Sequence, residues 1–148
     1  MKIAIIGAGG VGTSLGQTWA AKGHAVRYGA RNTGSDKVKA ALAATPGAQA
    51  ASIAEAVAWA DAVVLATPWA GAQEALAAAG DFTGKPLLDA TNPLTPTFQL
   101  ALGHTTSGGE QVQAWAPSAK VVKIFNTTGL ENMANPVYPG GRAAMVYA

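Results

Sequence analysis

Residues 1–32 read MKIAIIGAGGVGTSLGQTWAAKGHAVRYGARN, and the order of features in this stretch decides the fold. Lys2 to Ile6 is a short, β-branched apolar run, long enough for a buried parallel strand and too short for a helix. Gly7, Gly9 and Gly12 follow at once in the spacing G-x-G-x-x-G. The glycines of that spacing serve, in turn, a tight turn, close approach of backbone to a pyrophosphate, and contact between helix and strand. Val11 to Lys22 has helical composition and puts Leu15 and Trp19 on one face. An anion at the loop would therefore meet free N–H groups and the positive end of a helix dipole. A second strand, Ala25 to Gly29, completes the unit. The glycine spacing alone is a weak signal, but strand, glycines, helix and strand in this order predict a dinucleotide site. A close-packed Ala/Gly turn explains the glycines and not their position after a strand.

Outward from this unit the alternation continues. A short helix is expected within residues 32–48, ending at Pro46 and Gly47, then a strand at Ala48 to Ala51. Ser52 and Glu55 form a capping box for a helix through Ala60. Ala62 to Ala66 is nearly all apolar, as a strand buried on both faces requires. Residues 70–80 read as a helix and residues 85–94 as a strand that breaks at Asn92 and Pro93. Residues 95–109 suggest a long loop around a short helix, 109–117 a helix, and 120–129 a strand running into a polar turn. The expected fold class is α/β, a doubly wound parallel sheet in three α-β-α layers. In such sheets the ligand crevice lies beyond the carboxyl ends of the strands. Gly7–Gly12, Ala30–Thr33, Thr67–Trp69, Thr91–Leu94 and Asn126–Gly129 should therefore converge on one rim.

Composition narrows the function. The 148 residues suit one domain. Charged residues make up 12%, against about 25% usually, so small side chains and close helix-to-sheet packing dominate. A net charge of +2 without a Lys/Arg cluster gives no case for nucleic acid. The absence of cysteine excludes disulfides, thiolate catalysis and Cys-ligated metals. His24 and His104 lack metal-ligand spacing, and no metal site is expected. No stretch approaches the roughly 20 apolar residues of a membrane span. The first apolar run gives way to Thr13, Ser14 and Gln17, unlike a secretory signal, so a cytoplasmic location is expected. The abundance of alanine suits a homodimer and a monomer alike.

Four segments together, residues 1–32, LATPW (65–69), LLDATNPL (87–94) and VVKIFNTTGLENMANP (121–136), resemble the NADP-binding domain of the coenzyme F-420-dependent NADP oxidoreductases. The likeness spans nearly the whole chain and implies a Rossmann-type domain over residues 1–148. It also implies hydride transfer between NADP(H) and a deazaflavin or flavin-like acceptor. The alternatives are a ferric or small-carbonyl reductase on the same domain, or a non-catalytic NADP-binding sensor. Carried over by motif, Gly7, Gly9, Gly10, Val11 and Gly12 bind pyrophosphate, Arg31 holds the 2′-phosphate, and Thr67, Pro68 and Trp69 lie near the nicotinamide. The family often has Ser before the arginine. Ala30 stands here, leaving Asn32, Thr33 or Lys37 to replace that ligand. Family members continue beyond residue 148, so a C-terminal continuation that helps to form the acceptor site is expected.

The residues carry this chemistry without an acid–base pair. Hydride transfer needs oriented rings more than a proton relay, because the cofactors carry the reaction, and no catalytic side chain is singled out. Trp69 has two readings, a wall of the ring-binding crevice or a core packing residue. Asn92 and Asn126 each follow a strand and suit either a carboxamide or ribose contact or a turn. Asp89, within a strand, needs a structural hydrogen-bond partner. Arg31 stands where NAD-specific domains carry an acid for the ribose 2′-hydroxyl, and no carboxylate precedes Asp36. Its planar fork of donors fits a 2′-phosphate instead.

Overall fold

The computed structural model describes residues 1–148. Six parallel strands, β1 (Lys2–Ile6), β2 (Ala25–Gly29), β3 (Gln49–Ala51), β4 (Ala62–Leu65), β5 (Pro86–Asp89) and β6 (Lys120–Lys123), form one sheet in the order β3-β2-β1-β4-β5-β6. Strand order reverses direction between β1 and β4, the place where open α/β sheets bind ligands. The register of Ile6 against both Gly29 and Leu65 brings three strand ends side by side there.

Alternation along the central strands builds the layers. Ala4, Ile6, Val63, Leu65 and Leu87 face α3 (Ile53–Trp59), α4 (Ala72–Ala77) and α5 (Gly108–Trp115), where they join Val57, Leu76 and Val112 in one core. Ile3, Ile5, Val26, Tyr28 and Val64 face the other way, onto α1 (Gly10–Ala21), α2 (Asp36–Ala44) and α6 (Leu130–Ala134). Buried alanines at 56, 60, 72, 75 and 79 let the helices lie close to the sheet, which is the use of the chain's small side chains.

The structure departs from the sequence expectations at the carboxyl end. Residues 95–107 contain no helix; Leu94 and Leu100 form an antiparallel bridge around a tight turn. Pro96 removes a backbone donor there, and Thr95 accepts from the Gln99 amide, which favours a turn over a helix. Strand β5 stops at Asp89 rather than Asn92, because the carboxylate takes the Thr91 N–H at 2.9 Å and turns the chain. Val137–Tyr138 and Gly141–Arg142 make a two-residue hairpin, β7 and β8, across Pro139-Gly140, and Ala148 exchanges two backbone hydrogen bonds with Lys123 on the edge strand.

Candidate functional site: a cleft at the strand ends

The three motif glycines differ in what surrounds them. Gly7 has φ of +113°, and a Cβ there would lie 2.6 Å from the Ala66 carbonyl oxygen, so only glycine lets β1 leave this close to β4. A Cβ on Gly12 would overlap the Gly7 carbonyl oxygen, so the first turn of α1 rests directly on the loop. At Gly9 a Cβ would meet nothing within 4 Å. Packing therefore explains Gly7 and Gly12 and does not explain Gly9.

Helix α1 begins at this space. Its first turn carries no acidic residue, and its N-cap, Gly9, makes no side-chain hydrogen bond. Helices α3 and α5 are different: Ser52 with Glu55, and Ser107 with Glu110, close their N-termini as capping boxes. These hydrogen bonds, chiefly those from the capping serines, hold the Glu55 and Glu110 carboxyls below their ordinary values. Helices α4 and α6 also lack a capping side chain but carry Glu74 and Glu131 in their first turns, so α1 alone of the six has neither a cap nor an acid beside its N-terminal donors, which leaves them open to an anion.

Two joined hollows flank the loop. One, of about 350 Å³, is lined by Gly9, Gly10, Val11, Thr67, Trp69 and Asn92 among others. The second, of about 590 Å³, includes Gly7, Arg31, Asn32, Lys37, Ala70 and Glu74. Thr67 and Pro68 border both. The Thr67 hydroxyl is buried and has no hydrogen-bond partner, an unmet demand that a polar ligand group in the cleft would satisfy.

The cleft thus gathers twelve of the thirteen site residues expected from the sequence, counting Gly12 through its contact with Gly7. Asn126 is the exception: it lines a neighbouring hollow with Pro93, Ser107, Gly108 and Lys123. The 126–129 turn leads into α6, whose Leu130 lies against Gly10 of the loop and accepts from the Ser14 hydroxyl, while Asn126 itself borders the neighbouring hollow. Asn32 accepts from the Gly34 amide at 2.9 Å and is a turn former. Trp69 borders the cleft and also packs on Trp115 with ring centroids 5.1 Å apart. Lys37 is exposed and makes no ion pair, whereas the Arg31 Nη1 donates to both Glu74 oxygens, at 2.8 and 2.9 Å.

Two participants escape a reading of the sequence. Glu74 reaches Arg31 from across the cleft, 43 residues away in sequence, and no local pattern reveals such a pair. Lys123 donates to Asp89 at 3.0 Å and to the Thr91 carbonyl. Asp89 is fully buried and also accepts from the Thr91 hydroxyl at 2.7 Å, so its role is structural, fixing the segment that carries Asn92. No group of three His, Asp or Glu side chains comes together that could hold a metal ion. No helix is long and apolar enough to cross a membrane.

Fold and cleft define an α/β dinucleotide-binding domain. Residues 2–93 match the family described as NADP oxidoreductase, coenzyme F420-dependent, and the chain belongs to that family of NADP-dependent oxidoreductases. A crystal structure from Arthrobacter sp. FB24, described as a putative F420-dependent NADP-reductase, is 36% identical, with a TM-score of 0.83. The alignment covers 92% of this chain and 67% of that one. Protein SMa0349 from Sinorhizobium meliloti is 28% identical with a TM-score of 0.74, over 95% of this chain and 68% of its own. A reductive aminase from Aspergillus terreus, crystallised with a reduced NADP form, shares the fold at 22% identity and a TM-score of 0.66, over 91% of this chain and 44% of its own. No curated protein sequence gives a match.

Proposed function

We propose that the cleft binds NADP(H) along the switch point and presents the nicotinamide to a deazaflavin or flavin-like hydride acceptor. The observation that carries the binding mode is the open face of Gly9 beside the uncapped start of α1. Gly9, Gly10 and Val11 hold the pyrophosphate by backbone N–H groups. Arg31, aided by Lys37, takes the 2′-phosphate, because both are cations on the wall formed after β2. Thr67 donates its unpartnered hydroxyl to the nicotinamide half, Pro68 and Trp69 wall the ring, and Asn92 offers its amide to the carboxamide. Asn126, in the neighbouring hollow, is left out of this set. When bound, the nicotinamide supplies the hydride chemistry, and the protein supplies orientation and exclusion of water. The acceptor site draws on residues outside this domain; the chain spans 67% and 68% of the length of these two relatives.

The test is NADPH oxidation followed by its ultraviolet absorbance with coenzyme F420, FMN, ferric chelates and small carbonyls, using the full-length protein. Turnover with F420 or FMN alone supports the proposal. Turnover only with iron or carbonyls replaces the acceptor, and NADPH binding without oxidation by any of them makes the protein a sensor.

A further inference from the structure

The ion pair between Arg31 and Glu74 lies on the wall to which the 2′-phosphate has just been assigned. Arg31 stands in the turn after β2 and Glu74 in the first turn of α4, so the pair spans the cleft from one side to the other. Both side chains are exposed, 70% and 65%, and so are free to rearrange. Glu74 therefore supplies the carboxylate that the sequence after β2 lacks. It comes from the opposite wall.

We propose that Glu74 is a specificity-determining residue that restrains the preference for the 2′-phosphorylated dinucleotide by competing for Arg31. The inference rests on the assignment of Arg31 to the 2′-phosphate. To bind that phosphate, the guanidinium must leave or share Glu74, and the phosphate must settle near a second negative charge. A ribose 2′-hydroxyl has no such conflict and can donate to the carboxylate. Lys37, the other cation on this wall, forms no ion pair and offsets part of the repulsion. Exposed ion pairs contribute little and are screened by salt, so the effect is moderate. Glu74→Gln should tighten NADPH binding by about 3- to 10-fold at low ionic strength and leave NADH within about 2-fold or weaken it. The gain should shrink as salt is raised.

Isothermal titration with NADPH, NADH, 2′,5′-ADP and 5′-AMP, on wild type, Glu74→Gln, Arg31→Ala and the double variant, tests this. The expected result is selective tightening of NADPH and 2′,5′-ADP in Glu74→Gln, with no such gain when Arg31 is already alanine. Selective weakening of NADPH in Arg31→Ala, with Glu74→Gln unchanged, overturns the competition and leaves the phosphate site standing. Equal effects of Arg31→Ala on phosphorylated and unphosphorylated ligands overturn the phosphate site, and this inference with it.

Discussion

Alanine at Gly9 and alanine at Gly12 are the same chemical change three residues apart, and the structure gives them opposite consequences. Gly9 has φ of −84° and ψ of −171°, extended values open to any residue, and its new Cβ would touch nothing. Gly9→Ala should keep its stability within about 0.5 kcal/mol of wild type, as surface substitutions do. Gly12 is buried, and its Cβ would overlap the Gly7 carbonyl oxygen while standing 3.1 Å from the Ile5 side chain. Relief requires α1 and the loop to separate by about 1 Å or more, since unstrained carbon contacts begin near 3.5 Å. Overpacking of this kind costs about 1–3 kcal/mol, against which the better helix propensity of alanine returns at most about 1 kcal/mol. Gly12→Ala should lower stability by about 1–2 kcal/mol and disturb the loop.

The binding arm separates the two further. In Gly9→Ala the methyl group stands where the pyrophosphate must approach, and each lost N–H···phosphate hydrogen bond, being charge-assisted, is worth about 1.5–3 kcal/mol. NADPH affinity should fall by at least about 10-fold in a protein of native stability. Urea unfolding followed by circular dichroism gives the first quantity, and fluorescence titration of NADPH the second. Unchanged NADPH affinity in Gly9→Ala would falsify the assignment of this space to the cofactor. Unchanged stability in Gly12→Ala would refute the packing argument independently.

Two further perturbations probe the frame around the cleft. Lys123→Met leaves the buried Asp89 carboxylate without its cation, which should cost about 3 kcal/mol in urea unfolding; Asp89→Asn in the same chain should recover much of it, and a single-variant loss below about 0.5 kcal/mol would contradict the pairing. Tyr28→Phe leaves the buried Thr45 hydroxyl without its 2.8 Å partner and should cost about 1–3 kcal/mol. Burial raises the Tyr28 phenol above its ordinary 10.0, outweighing the hydrogen bond with Thr45. Its neutral form therefore contributes stability that is complete below pH 10 and lost as pH rises through the raised value. The decline of stability above pH 10 should be shallower in Tyr28→Phe; equal slopes would show that this phenol does not govern it.

The sequence is legible where the signal is local. The capping box of Ser52 and Glu55, the glycine spacing and the apolar run at Ala62 each concern residues within one turn or one strand, and each takes the expected form. Two more local signals stand in the sequence without entering the expectations: Ser107 and Glu110 share the spacing of Ser52 and Glu55, and Pro139-Gly140 announces the β7–β8 turn. The expected helix within 95–109 fails because Pro96 and a Thr95 turn outweigh its composition. The expectation for Asn126 rests on the rule that strand ends share one rim. Asn126 borders instead the hollow it shares with Ser107, Gly108 and Lys123, at the start of α5.

Glu74 and Lys123 are illegible for a different reason. Each acts through a partner more than thirty residues away, and only the sheet order makes them neighbours. Strand order places β5 beside β6, so the Asp89–Lys123 register is what holds the Thr91–Asn92 segment at the cleft. The β4–α4 connection runs along the same rim, so the turn that contributes Thr67 is followed within seven residues by the carboxylate that meets Arg31. One short segment, 67–74, thus supplies both an unpartnered hydroxyl to the inner half of the cleft and a competing charge to its outer half. On the proposed binding mode, a change in that segment alters cofactor preference without touching the glycine loop, which separates binding of the pyrophosphate from selection of the 2′ group.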